Sequence, residues 1–303
     1  MKKTAALILT AIILLSLPLF AVCASAEGAA PDASGALPTV WQNGGFALLF
    51  RDLSPTGQML TYVGAHIIII AAAYLLGSLN SAIIFSKKLY GKDIRGYGSH
   101  NAGMTNMFRT FGKKAGFLTL AGDVLKALVS VLVGRLLLGE YGAYLAGTFC
   151  ILGHIAPVYY RFRGGKGVIV TAVTVALVDP VAFAVLLAVF AVVFLIWRYV
   201  SLASVLAAFV YPAVVYSAAY LRTHGEGQPY PTAMLFSLFV GLLIIFLHRE
   251  NLKRIYNGTE SRVSFKRKKA SADDDAAAQD AEKPAVRRTG GGKRSKSGKI
   301  KKH

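Results

Sequence analysis

Seven long, nearly uncharged apolar blocks dominate this 303-residue chain, and they decide what it can fold into. They cover 61–86, 117–138, 141–160, 167–180, 181–197, 200–220 and 232–247. A bilayer-crossing helix needs about 20 mostly apolar residues, and most of these blocks approach that length. Apolar residues fill whole segments instead of tracing one helical stripe, and the mean hydropathy is +0.50. A soluble domain of this size carries more charge. In hydrocarbon the backbone must bond to itself, so helices are the expected element. The expected fold is therefore all-α: a polytopic membrane protein with seven transmembrane helices. Only the Asp179-Pro180 turn separates the fourth block from the fifth.

Loop charge predicts the orientation, because basic loops stay in the cytoplasm. The 87–116 loop holds Lys87, Lys88, Lys92, Arg95, Arg109, Lys113 and Lys114. Alternation then places Arg161, Arg163, Lys166 and Arg198 on the same inner side. The N-terminus falls outside and the C-terminus inside. The net charge of +19 is uneven: residues 249–303 hold 17 Lys/Arg against 7 Asp/Glu, a net +10. A basic tail beside anionic lipid accounts for that charge, so no nucleic-acid partner is expected.

At the N-terminus, Lys2 and Lys3 precede an apolar run that ends in Ala24-Ser25-Ala26. That pattern reads as a secretory signal peptide over 1–26, with an uncleaved first membrane helix as the alternative. Residues 27–57, rich in Ala, Gly, Pro and Ser, read as an irregular extracellular segment. The membrane domain is expected over 58–262. A low-complexity, disordered basic cytoplasmic tail follows over 263–303. Of the two cysteines, Cys23 lies in the signal and Cys150 in an apolar block, so neither a disulfide framework nor a metal site is expected.

Three polar clusters interrupt the apolar blocks: GYGSHNAGMTNMFRT at 96–110, RFRGGKGV at 161–168 and HRENLKR at 248–254. All three fall on the predicted inner side. They carry cations, hydroxyls and amides but few carboxylates, a composition suited to a phosphate-bearing ligand at the membrane edge. In the first cluster glycines expose backbone N–H groups, and arginine adds a rigid donor fork for phosphate. Gly77, Ser78, Asn80 and Ser81 precede it inside the first block, where helix packing explains them as well as a site does. Gly164, Gly165, Lys166 and Gly167 resemble a phosphate loop at a helix N-terminus. They do not form a Walker A motif, since Tyr160 and Gly167 stand where glycine and Ser/Thr are required. His248 and Asn251 are three residues apart and share a helix face. Within the second block, Asp123 and Lys126 also share a face, either as a structural ion pair or as part of the site. His154 stays undecided between packing and function.

The stretches GSLNSAIIFSKKLYGKDIRGYGSHNAGMTNMFRTFGKKAG, GHIAPVYYRFRGGKGV and HRENLKRIYNGTE resemble the acyl-phosphate:glycerol-3-phosphate acyltransferase family of bacterial membranes. The likeness spans about 75–260. It implies a seven-helix fold with the N-terminus out, in the cell (plasma) membrane with the site on the cytoplasmic side. It implies transfer of a fatty acyl group from acyl phosphate to sn-glycerol 3-phosphate. The products are 1-acyl-sn-glycerol 3-phosphate (lysophosphatidic acid) and phosphate, the first acylation of phospholipid biosynthesis. The partners implied are both substrates, membrane lipids and a soluble acyl-phosphate-forming enzyme; no cofactor or metal is implied.

Carried over by motif, Ser78, Arg95, Ser99, Asn101 and Asn106 are expected to bind substrate phosphate, together with Gly164, Gly165, Lys166 and Gly167. His248 and Asn251 are expected nearest the reacting groups, and Glu260 in support beside Asp123 and Lys126. Two positions depart from the family pattern. LNSA follows Gly77-Ser78, and His100 replaces a usual glycine. Direct transfer is the expected route, with His248 as base or as orienter of the acceptor. A serine nucleophile at Ser78 or Ser99 lacks a visible Ser-His-Asp arrangement. An organic-anion transporter is the rival class, although no internal repeat is visible. A non-enzymatic scaffold leaves the glycine loops unexplained.

Overall fold

The computed structural model describes residues 53–222 and 231–263, with 44–45 and 49–50. The expected signal peptide, most of the 27–57 segment and the basic tail from 264 lie outside these residues. The described elements are helices and turns: α1 (Pro55–Ser78), α2 (Ser81–Tyr90), α3 (Met104–Ile155), α4 (Val168–Val178), α5 (Pro180–Trp197), α6 (Val200–Arg222), α7 (Pro231–Leu247) and α8 (Arg249–Tyr256). Short 3₁₀ turns occupy Ile94–Gly96 and Val158–Tyr160.

Helix α1 starts at 55 because Ser54 caps it, accepting from the Gly57 N–H at 3.2 Å, and Pro55 presets the first φ. The first apolar block breaks after Ser78. Asn80 takes an extended conformation and caps α2, its Oδ1 accepting from the Ile83 N–H at 3.0 Å. The break leaves carbonyls at the end of α1 without intrahelical partners. The side chain of Lys126 takes two of them.

Helix α3 is interrupted at Gly112, with φ +84°, and reverses at Leu138 and Gly139, with φ −124° and +62°, so that the stretches before and after the reversal run as two antiparallel arms. Gly134 and Gly142 then meet so closely that a Cβ on either would overlap the other's carbonyl oxygen. In a straight helix these residues would lie about 12 Å apart along the axis. Glycine at 139 takes the left-handed turn without strain. The blocks at 117–138 and 141–160 thus fold back on each other as the sequence predicts.

The second arm sits at the centre. Phe149, Cys150, Ile151 and Leu152 are all buried, and Gly77 and Gly153 let α1 approach it backbone to backbone. Tyr144 and Tyr211 pack edge-on against Phe236, tying α6 and α7 to that arm. The periphery is apolar. Every residue of α5 is apolar, yet only Ala182 and Val193 are buried. A helix so apolar and so exposed calls for lipid or another apolar surface around it. By length and composition, Thr56–Tyr90, Met104–Tyr160, Pro180–Trp197 and Val200–Leu221 can cross a membrane, as can α7 with α8 if that bent pair counts as one span. Helix α4 is apolar but shorter, at 11 residues.

Candidate active site

The three polar clusters meet around one cavity of about 1960 Å³. Its polar rim includes Ser99, Asn101, Lys166, His248 and Asn251, and its apolar wall is built from Phe190, Phe239, Leu242 and Phe246. One end therefore matches charge and the other a hydrocarbon chain.

The first loop is organised by Asn106, which is 2% exposed. Its Nδ2 donates to the carbonyls of Tyr97 at 2.9 Å and Asn101 at 3.0 Å, while its Oδ1 accepts from the Ser99 N–H at 3.0 Å. With its amide spent on the loop, Asn106 shapes the rim instead of offering free donors to a ligand. Gly98 has φ +56°, and a Cβ there would overlap Asn106 Oδ1. His100 also sits in the left-handed region, with φ +59°. That conformation accounts for the glycine expected here; in its place the His100 ring donates from Nδ1 to the Arg95 carbonyl at 3.1 Å. The hydroxyl of Ser99 and the side-chain amide of Asn101 border the cavity without a hydrogen-bond partner among the described residues.

Arg95 lies elsewhere. Its Nη2 and Nε donate to the Asp93 carboxylate at 2.8 and 3.0 Å, and its Nη1 to the carbonyls of Tyr160 and Arg163 at 2.9 and 3.2 Å. It straps the first loop to the glycine loop and borders a smaller cleft of about 490 Å³. The guanidinium pulls the Asp93 carboxyl down to about 2. Ser78 is fully buried, donates to the Tyr74 carbonyl at 2.8 Å, accepts from the Val158 N–H of the turn before the glycine loop at 3.4 Å, and borders neither cleft.

The glycine loop leads into α4. Gly167 takes φ +76°, and the N–H groups of the first turn are left without intrahelical partners beside the cavity. The ammonium of Lys166 donates to Asn251 Oδ1, and Asn251 Nδ2 donates to Glu260 Oε1 at 2.6 Å. Glu260 also accepts from Ser201 Oγ at 2.9 Å and from Arg254 Nε at 2.7 Å. This chain fixes which end of the Asn251 amide faces the cation. Burial, then the positive charge of Arg254, brings the Lys166 ammonium down to about 8.

His248 sits at the bend between α7 and α8 and is 4% exposed. Its Nδ1 donates to the Ile244 carbonyl at 2.8 Å, which leaves the Nε2 lone pair free to accept a proton. Burial, then the Lys166 charge, lowers its basicity to about 4, so the ring is neutral at physiological pH.

Asp123 and Lys126 form an ion pair at 2.9 Å, 1% and 5% exposed. The three ammonium protons go to the carbonyls of Gly77 and Leu79 and to Nδ1 of His154. The pair is thus tied to the broken first helix, and His154 joins it from the second arm.

Sequence reasoning left out Ser201, which opens α6 beside the cavity; its hydroxyl is the available signal. Arg109, one of the arginines of the first cluster, borders the cavity as its place in that cluster suggests, its Nη2 donating to the Ser261 carbonyl at 2.9 Å.

Among the described residues, apolar helices surround a cationic, amide-lined site that opens onto an apolar trough, and that defines the class: a helical membrane protein whose cavity suits a lipid-like anion. A model of the glycerol-3-phosphate acyltransferase family matches residues 67–258. Glycerol-3-phosphate acyltransferases of Thermoanaerobacter sp. (strain X514) and Syntrophotalea carbinolica are 40% and 42% identical, each over 64% of this chain, and over 93% and 96% of their own lengths. The solved structure of PlsY (YgiH), an integral membrane glycerol 3-phosphate acyltransferase, in its glycerol 3-phosphate form is similar, with 34% identity and a TM-score of 0.60. The match covers 66% of this chain and 96% of that one. The lysophosphatidic acid form of that protein gives 33% and 0.57 over the same shares. The chain belongs to the glycerol-3-phosphate acyltransferase family and is an integral membrane protein.

Proposed function

We propose that this protein transfers a fatty acyl group from acyl phosphate to the 1-hydroxyl of sn-glycerol 3-phosphate. The hydroxyl oxygen bonds to the acyl carbon, the acyl–phosphate bond breaks, and 1-acyl-sn-glycerol 3-phosphate and phosphate leave. The observation that carries this reading is the single cavity that joins Lys166, Asn251, His248 and the glycine loop to the apolar wall of Phe190, Phe239, Leu242 and Phe246. Both substrates bear phosphate, and the acyl donor also needs a hydrocarbon trough. An acyl phosphate is already activated, so the protein has mainly to align the hydroxyl and stabilise the charge that develops.

Lys166 and the first-turn N–H groups of α4 hold anionic oxygen, joined by Ser99 and Asn101. Ser78, Arg95 and Asn106 act on the phosphates through the loops they pin. Nε2 of His248 takes the hydroxyl proton, or orients the hydroxyl while a substrate phosphate oxygen takes it. Asn251, held by Glu260, keeps Lys166 in place. The loop charges support seven crossings, with the N-terminus outside and this cavity at the cytoplasmic edge of the plasma membrane. A soluble enzyme that makes acyl phosphate supplies the donor, and the N-terminal 26 residues act as a signal.

Purified full-length protein in lipid vesicles, given acyl phosphate and radiolabelled glycerol 3-phosphate, tests the reading. Labelled lysophosphatidic acid with stoichiometric phosphate supports it. Folded protein that forms none, or forms it only from acyl-CoA, overturns the donor assignment.

A further inference from the structure

His154 is a buried polar side chain that the reaction above does not use. It is 4% exposed and borders the cavity from the second arm of α3. Its Nδ1 lies 2.8 Å from the Lys126 ammonium, a group that can only donate. Nδ1 therefore accepts and carries no proton, and the single proton of the neutral ring is on Nε2. Asp123 Oδ1 is farther from Nδ1, at 3.6 Å, and serves as counter-charge to Lys126 at 2.9 Å. Two carbonyls freed by the break after Ser78 hold the lysine, so the tautomer of His154 is set by the fold of α1. Nε2 has no hydrogen-bond partner among the described residues, and it lies against Gly165: a Cβ there would overlap it. The Gly165 N–H in turn bonds the His154 carbonyl at 3.1 Å. A side chain at 165 would take the place of Nε2, and His154, Gly165 and Lys166 line the same cavity.

We propose that His154 is a substrate-binding residue: its Nε2–H donates a hydrogen bond to a phosphate oxygen held at the glycine loop, in a tautomer fixed by Lys126. This rests on the acyltransferase reading. Phosphate accepts such a bond from a neutral imidazole, and the preset tautomer means that no proton has to be rearranged on binding. The phosphate belongs either to glycerol 3-phosphate or to the acyl phosphate, and kinetics with each substrate varied separately tells which.

The test uses purified full-length wild type, His154→Phe and His154→Gln. Phe keeps a ring without a donor, and Gln restores an amide N–H near the Nε2 position. A hydrogen bond to a charged acceptor is worth roughly ten- to hundredfold in affinity. The Phe variant should raise KM for one phosphate substrate by about that factor, with kcat changed much less, and Gln should recover most of it. A drop in kcat with both KM values unchanged, or equal defects in Phe and Gln, overturns the proposal. If the variants do not fold, the ¹⁵N spectrum of histidine-labelled wild type decides: a protonated His154 Nε2 whose signal moves on adding glycerol 3-phosphate or inorganic phosphate supports the bond, and an unmoved or unprotonated Nε2 rejects it. Wild type that makes no product removes the acyltransferase reading; active wild type beside an unaffected Phe variant removes this inference alone.

Discussion

Replacing Lys126 with methionine removes one buried charge and strands another. Asp123 is 1% exposed, and its counter-charge is the Lys126 ammonium at 2.9 Å. Methionine has nearly the same length and fits the space, so the effect is electrical more than steric. The carbonyls of Gly77 and Leu79 and His154 Nδ1 lose their donor in the same change. Breaking a buried pair at one end costs about 3–5 kcal/mol because the surviving charge stays desolvated. For a domain of this size that is a fall in Tm of roughly 6–20 °C. Removing the other charge as well, in Asp123→Asn/Lys126→Met, should restore more than half of the loss, since no ion is then stranded. Thermal unfolding of the purified protein in detergent, followed by tryptophan fluorescence, measures both. A single variant that melts within about 2 °C of wild type, or a double variant no better than the single, would refute the assignment of this pair as an internally neutralised anchor.

Three further outcomes follow from the site. Lys166 ionises at about 8, so its cation is complete below that pH and is lost as pH rises through it. We expect kcat/KM for glycerol 3-phosphate to fall on the alkaline side from about pH 8, and Lys166→Arg to move that limb upward, read from pH–rate profiles. Glu260→Gln keeps the shape of the hub but loses the charge facing Arg254 and turns one of its two acceptors into a donor, set against either Arg254 or Asn251; a kcat loss of roughly ten- to hundredfold with a small change in Tm is expected in acyl-transfer and melting assays. Gly98→Ala puts a Cβ into Asn106 Oδ1 at a left-handed position, and should lower stability by about 1–2 kcal/mol or more while raising KM for a phosphate substrate, as steady-state kinetics would show.

Block length and apolar content were enough to predict helices and the reversal near Gly139, and loop charge with alternation grouped the three clusters that the cavity brings together. The break in the first block was not legible: nothing in GSLNSA marks Asn80 as a cap until Lys126 is seen taking the carbonyls released there. Motif position likewise says which residues belong together, not which way they point. Arg95 and Ser78 are spent on Asp93 and on backbone carbonyls because those partners lie nearer than the cavity. Glu260, read from sequence as support, proves to be the carboxylate that organises Asn251, Arg254 and Ser201. His154 stayed undecided because its meaning depends on Lys126 in the other arm, about 42 Å away along a straight helix but in contact after the turn.

The account turns on Lys166 and His248 acting at one pocket on an acyl phosphate. The most direct measurement is acyl transfer by wild type, Lys166→Ala and His248→Ala, each purified and shown to be folded, with acyl phosphate and acyl-CoA competing as donors. Wild type should draw on acyl phosphate, and each variant should lose about a hundredfold or more in kcat/KM. A folded variant that turns over within about threefold of wild type, or a wild type that prefers acyl-CoA, would contradict it.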